Sequence, residues 1–257
     1  MSAPQPDILE SIEQALERSR RQQGLILWEG PSSVDGKPVV VVATFGSRNR
    51  KTGSMVQTWI LRADIEPQIA IRSGDDASIC GTCPHRFNPE TNARTCYVNV
   101  NNAPLAVFRR YQRNGYQKAT AADLAWLKQQ AVRAGSYGDP GSVPSHVWDD
   151  VLGRVHTGYT HQWRTSPNLR RHLMASVDSL AERDEARAQG WRTFRVAAHD
   201  EPKLATSVEV ECRSETDGVS CADCKLCDGS RRAATETPAT SIAIRAHGPS
   251  KRLFILQ

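Results

Sequence analysis

Between residues 132 and 247 short apolar runs alternate with helical stretches, at a spacing of about twenty to twenty-five residues that points to successive parallel βα units. VRAGSYGDP reads as a short strand, VPSHVWDDVLGRV as a helix, HTGYTHQW as a strand and SPNLRRH as a short helix. HLMASVDS is a strand, SLAERDEARAQG a helix closed by Gly190, WRTFRVAAH a strand, and TSIAIRAHG a late strand before the terminal RLFIL. Upstream, PVVVVATF (residues 38–45) and MVQTWIL (residues 55–61) read as strands joined by the polar turn GSRNRKTGS. The first is apolar throughout, which suits a strand buried on both faces. Helices are expected over residues 7–22, closing at Gly24, and from Pro104 onward. A third should run from Thr120 as N-cap, with Asp123 in its first turn, to Gly135. The expected fold class is α/β, a partial (β/α) barrel-like parallel sheet with cysteine-rich metal-binding loops. An N-terminal helix (1–25) would precede a single domain (26–257) with cysteine loops at 80–96 and 212–227.

A chain of 257 residues with 39% hydrophobic residues can bury a sizeable core. No run of eighteen apolar residues is present, and the opening segment MSAPQPDILESIEQALERSRRQQG is polar and amphipathic, so a cytoplasmic protein without a membrane partner is expected. A net charge of +5 is compatible with an anionic partner but does not decide the function. The absence of GxSxG and of GxxxxGK[ST] argues against a serine hydrolase of that type and against a P-loop nucleotide hydrolase.

In parallel βα units the polar residues at the C-terminal ends of strands converge on one face, where barrel active sites are built. Those ends carry Tyr137 and Asp139, then Tyr159, His161 and Gln162, then Ser176 and Asp178, then Arg195 and His199, and finally His247. Tyr137, Asp139, Tyr159, His161, Ser176, Asp178 and Arg195 are therefore expected to line one cavity, with Asp139, His161 and Asp178 as the catalytic candidates. Asp139 and Asp178 also suit simple capping roles ahead of Pro140 and Ser179.

Seven cysteines fall into two groups. Cys80, Cys83 and Cys96 follow C-x2-C-x12-C; Cys212, Cys221, Cys224 and Cys227 follow C-x8-C-x2-C-x2-C. An odd number without a secretion signal argues for metal rather than disulfides. Successive C-x2-C steps aim neighbouring thiolates at one centre, zinc or an iron–sulfur cluster. The first group either recruits His85 as a fourth ligand or leaves one metal position open. The bland reading of His85, next to Arg86, is a solvated side chain.

The pair Cys83-Pro84, a spacer, Cys96-Tyr97, a basic aromatic helix, βα units with polar strand ends, and a late cysteine cluster before a strand ending in AHG together resemble a group of phage and mobile-element proteins. The likeness runs over residues 45–250. That group is in turn similar to radical S-adenosylmethionine iron–sulfur enzymes. The resemblance implies that Cys80, Cys83 and Cys96 hold a 4Fe-4S cluster with one iron open to the amino and carboxylate groups of S-adenosylmethionine, whose reductive cleavage yields an adenosyl radical. It implies Tyr97 beside the adenine, Tyr137 and Asp139 as further cofactor-binding residues, an auxiliary cluster at the four later cysteines, an electron donor, and a substrate left unnamed. The cysteine spacing departs from that family's C-x3-C-x2-C, and its glycine-rich acidic motif is matched only by RAGSYGDP. Two other readings compete. One is a zinc-binding protein that contacts nucleic acid through VFRRYQRNGYQK, with Arg109, Arg110, Arg113 and Lys118 on phosphates and Tyr111 and Tyr116 stacking. The other is a non-catalytic iron–sulfur sensor.

Overall fold

The computed structural model describes residues 23–229, 240–247 and 251–253. The helix expected over residues 7–22 and the end of RLFIL lie outside the described residues. Among the described residues there are ten strands: β1 Gly24–Pro31, β2 Pro38–Thr44, β3 Val56–Arg62, β4 Gln117–Lys118, β5 Val132–Tyr137, β6 His156–Thr160, β7 Met174–Val177, β8 Thr193–Ala197, β9 Glu209–Glu211 and β10 Ser241–Arg245. They form one sheet in the order β4-β1-β2-β3-β5-β6-β7-β8-β10-β9. β1, β2 and β3 are antiparallel neighbours, and every other pairing is parallel.

The expected parallel βα run is therefore present, but the sheet does not close into a barrel. The antiparallel meander β1-β2-β3 extends it on one side, and its edges are β4 and β9, strands of two and three residues that do not pair with each other. Closure requires the two edges to meet in register.

Residues 39–43 of β2 are almost wholly buried, at 1% exposure or less, as an apolar strand between two neighbours should be. Each of its valines contributes on the order of 2 kcal/mol by burial. The helix that starts at Thr120 has the expected N-terminus: Thr120 Oγ1 accepts the Asp123 amide while Asp123 Oδ2 accepts that of Thr120. It ends at Leu127 rather than Gly135, because Val132 is needed in the sheet, between Val56 and His156. Tertiary pairing overrides helix propensity there.

A bulge in β5 shapes the centre of the sheet. Gln57 pairs with Arg133 and Trp59 with Tyr137, so one residue on β3 stands between these pairs and three on β5. Thr58 Oγ1 stitches the bulge by donating to the Arg133 carbonyl and accepting the Gly135 amide, each at 2.9 Å. Gly138, at φ +78°, follows, and a Cβ there would stand 2.6 Å from the Ile60 carbonyl oxygen, so no other residue fits this exit from the strand.

Beyond the bulge the period of two sorts the side chains. Tyr159 of β6, Ser176 of β7, Phe194 and Val196 of β8 and Ile244 of β10 face a common cavity. Arg195 lies between Phe194 and Val196 and points the opposite way. It is buried, bonded through Nε to Glu209 at 3.0 Å and through Nη1 and Nη2 to Glu201 at 3.1 and 3.0 Å. The expectation that Arg195 lines the cavity is corrected: it clamps β8 to β9. Because Glu209 also accepts Arg183 at 3.0 Å, Glu209→Gln should leave two guanidinium groups short of their counter-charge. Urea denaturation is expected to show a loss of about 3 kcal/mol; a loss well under about 1 kcal/mol would mark the cluster as solvent-screened.

Candidate metal and substrate cavity

A cavity of about 440 Å³ lies against this sheet face, and its walls include all seven cysteines of the chain. The two cysteine segments, more than a hundred residues apart in sequence, both contribute to its lining.

Polar loops of this kind have few apolar side chains to pack, so backbone bonds and buried arginines hold them. In the first, the Cys96 amide donates to the His85 carbonyl at 3.0 Å, tying the two ends of the spacer together. Arg86 anchors this loop through Asp76 Oδ1 at 2.6 and 3.0 Å and the Gly74 carbonyl at 2.7 Å. Gly81 turns the chain after Cys80 at φ +55°, where a Cβ would meet the Gln162 amide at 2.3 Å. In the second, the Cys212 amide donates to the Ala243 carbonyl and the Cys221 amide to that of Lys51, at 2.9 and 2.8 Å. Arg192, 3% exposed, holds the end of that segment through Asp228 and the carbonyls of Leu226 and Gly229.

All seven thiols are free and half-buried. Burial, reinforced by the neighbouring Cys83 and Asp76, pushes the Cys80 thiol well up, and burial likewise raises Cys96, Cys212 and Cys221. Cys227 is pushed up to about 12, chiefly by burial. Burial thus favours the neutral thiol at these five positions, which a bound metal would convert to thiolates. Among the described residues no three cysteine sulfurs lie within 4.8 Å of one another, whereas one tetrahedral zinc with bonds of about 2.3 Å needs thiolates roughly 3.8 Å apart. Tyr137 is 3% exposed and its hydroxyl has no hydrogen-bond partner, although it faces the cavity beside Cys80 and Cys96. An orphaned hydroxyl and seven thiols outside any disulfide fit a site built to receive a further group.

At the strand ends, Asp139 is bonded on both oxygens. Oδ1 accepts the Gly141 amide at 2.8 Å and Thr160 Oγ1 at 2.6 Å, and Oδ2 accepts the His161 amide at 2.7 Å. Burial raises its pKa, an effect only partly offset by His161 and these donors. Asp178 accepts from His85 Nε2 at 2.9 Å and lies 3.4 Å from His161 Nε2. Burial would raise its pKa, but the two imidazoles hold it well below the usual carboxylate range. Burial would lower His161, yet Cys83, whose sulfur is 4.0 Å from Nε2, and Asp178 hold it well above the usual imidazole range. His85 is not a solvated side chain: its Nδ1 lies 2.9 Å from Thr95 Oγ1.

Across the cavity, Arg133 Nη2 donates to Tyr97 Oη at 2.9 Å and its guanidinium stands 5.6 Å from the centre of the Tyr159 ring. The Tyr97 and His247 rings are 5.2 Å apart. Of the residues read from the sequence, Tyr97, Tyr137, Asp139, Tyr159, His161, Ser176 and His247 reach the cavity, Asp178 stands behind the two histidines, and His199 pairs with Asp200 away from it. Sequence reasoning missed Arg133, Gln57 and Trp59, all cavity-lining. Its one available signal was a charged residue inside the apolar run of β5. The basic segment is engaged internally: Arg109 pairs with Glu66, Lys118 and the Tyr111 hydroxyl with Glu29, and Arg110 stands over Tyr116.

None of the family models, curated proteins or solved structures compared with the chain matches it. Among the described residues no helix is long and apolar enough to cross a membrane.

The anchoring arginines predict separable effects. Arg192→Ala should speed alkylation of Cys224 and Cys227 on the order of tenfold by local opening, leaving Cys80, Cys83 and Cys96 unchanged; Arg86→Ala should do the reverse. Site-resolved mass spectrometry of alkylated peptides reads both, and uniform acceleration in either variant would refute independent anchoring.

Proposed function

We propose that the chain is an iron–sulfur enzyme of the radical S-adenosylmethionine kind that works on a substrate held in the cavity. The observation that carries this reading is that all seven cysteines, in groups of three and four, line one cavity beside an orphaned tyrosine hydroxyl. Cys80, Cys83 and Cys96 are the residues that would hold a 4Fe-4S cluster, and Cys212, Cys221, Cys224 and Cys227 those of a second centre. When bound, a cluster with three protein thiolates supplies an electron and an iron position open to the amino-acid end of S-adenosylmethionine.

The protein's own groups would divide the remaining work. Tyr97, held by Arg133 and stacked on His247, offers an aromatic face to an adenine, and Tyr137 offers an unpaired hydroxyl donor beside Cys80. Asp139 and His161 form the polar wall from which a substrate would be oriented, Asp178 supports His161 from behind, and Asp139 keeps that wall in register. The apolar rings of Tyr159 and Phe194, 4.0 Å apart, keep water from the floor.

Anaerobically purified protein is expected to be brown and to contain iron and acid-labile sulfide in two separable sites. Replacing the four later cysteines by Ala should remove one site and leave the other. Adding S-adenosylmethionine to the reduced protein should alter its electron paramagnetic resonance spectrum, and Asp139→Asn should weaken that change. Colourless protein with stoichiometric zinc refutes the reading; a sulfide-containing protein whose spectrum ignores S-adenosylmethionine makes it a non-catalytic iron–sulfur sensor.

A further inference from the structure

His85, His161 and Asp178 come from three separate segments: the first cysteine loop, the end of β6 and the end of β7. Their ligand atoms all lie within 4.8 Å of one another. Both histidines turn Nε2 toward the same carboxylate, His85 at 2.9 Å from Oδ1 and His161 at 3.4 Å from Oδ2. Their rings are 5.6 Å apart and inclined at 70°, so the two Nε2 atoms approach the carboxylate from different directions. His85 has a second support at its opposite edge, where Nδ1 is 2.9 Å from Thr95 Oγ1. An imidazole that ligates a metal through one nitrogen and is oriented by a second partner at the other has this arrangement. Both histidines line the cavity, leaving the remaining coordination positions toward the substrate space.

We infer that His85, His161 and Asp178 form a mononuclear divalent-cation site, beside the first cysteine loop where the Cys83 sulfur lies 4.0 Å from His161 Nε2, for a borderline metal such as Fe²⁺, Co²⁺ or Zn²⁺. Two imidazoles and one carboxylate with open positions are a donor set for those ions rather than for Mg²⁺ or Ca²⁺, which take oxygen ligands, or for the softer ions selected by all-thiolate sets. Binding would replace the contacts of the two imidazoles with Asp178 by bonds to the cation. The inference goes beyond the proposed function and does not rest on the cysteines binding iron.

The probe is Co²⁺, titrated into the full-length, anaerobically purified and oxidised protein, in which a cubane cluster is diamagnetic and does not mask the cobalt signal. One equivalent of high-spin Co²⁺ with imidazole nitrogen couplings is expected in the paramagnetic resonance spectrum, unchanged when Cys212, Cys221, Cys224 and Cys227 are replaced by Ser. Asp178→Asn and His85→Gln should abolish it. Thr95→Val, which removes only the bond that orients His85, should weaken Co²⁺ binding by about tenfold. The nitrogen couplings are read on the unaltered chain, so the test stands even if a variant misfolds. Absence of a nitrogen-coupled equivalent in the unaltered chain, or its persistence in both Asp178→Asn and His85→Gln, overturns the inference. Acid-labile sulfide in the same preparation reports on the cysteine centres alone, so the two readings fail separately.

Discussion

The carboxylate of Asp139 ties the strand ends to the cysteine loop. Its backbone amide donates to the Ile79 carbonyl at 2.6 Å, in the short helix that delivers Cys80. Its side chain meanwhile binds the turn after β5 and the end of β6 through Gly141, Thr160 and His161. Hydrogen bonds to a charged acceptor contribute about 1.5–3 kcal/mol each, and removing the acceptor would strand three buried donors. One residue therefore sets the spacing between His161 and the first cysteine loop. The capping role that the sequence suggested for Asp139 is present, through the Gly141 amide.

The cysteine segments have a different problem, since a loop poor in apolar residues cannot be fixed by burial. Guanidinium groups fix them. Arg86 and Arg192 each reach a carboxylate and at least one backbone carbonyl, a reach that suits a planar fork and not the single ammonium of lysine. Arg62, 4% exposed, serves the neighbouring stretch in the same way through Asp64 and Ser78. Arg192 and Arg62 carry the desolvation cost of a buried ion, whereas Arg86 is part-exposed and pairs with the buried Asp76, so the loops are ordered by paired charges that fail sharply where one buried partner is lost.

The parallel βα run was legible because each of its strands is short, apolar and bounded by turn or cap residues, as Ser179 does for the helix after β7. β1 was not legible: GLILWEGP follows an amphipathic stretch whose pattern invited a helix closing at Gly24, and its strand character comes from pairing with β2 and not from alternation. A partial barrel was read into the βα rhythm, yet rhythm encodes neighbours and not how far the sheet curls or whether its edges meet. At the site, the residue types at the strand ends were legible, and their direction was not. Arg195 and Phe194 exchange faces with a shift of one residue, inside the error of any boundary drawn from sequence. His85 was missed as a partner of Asp178 because ninety-three residues separate them and no local pattern records the bond.

The distribution of donor atoms follows from these constraints. The thiols belong to two loop-rich segments that include the short helices Ala77–Cys80 and Cys221–Cys224, and among the described residues no three of their sulfurs come within 4.8 Å. His161 and Asp178 end neighbouring strands, where parallel pairing fixes their separation, and the His85 loop is pinned over them by Arg86 and by the amide of Cys96. That loop also carries Cys80, Cys83 and Cys96, so the bonds that order these thiols are the ones that hold His85 against Asp178. One anchored loop serves both donor sets.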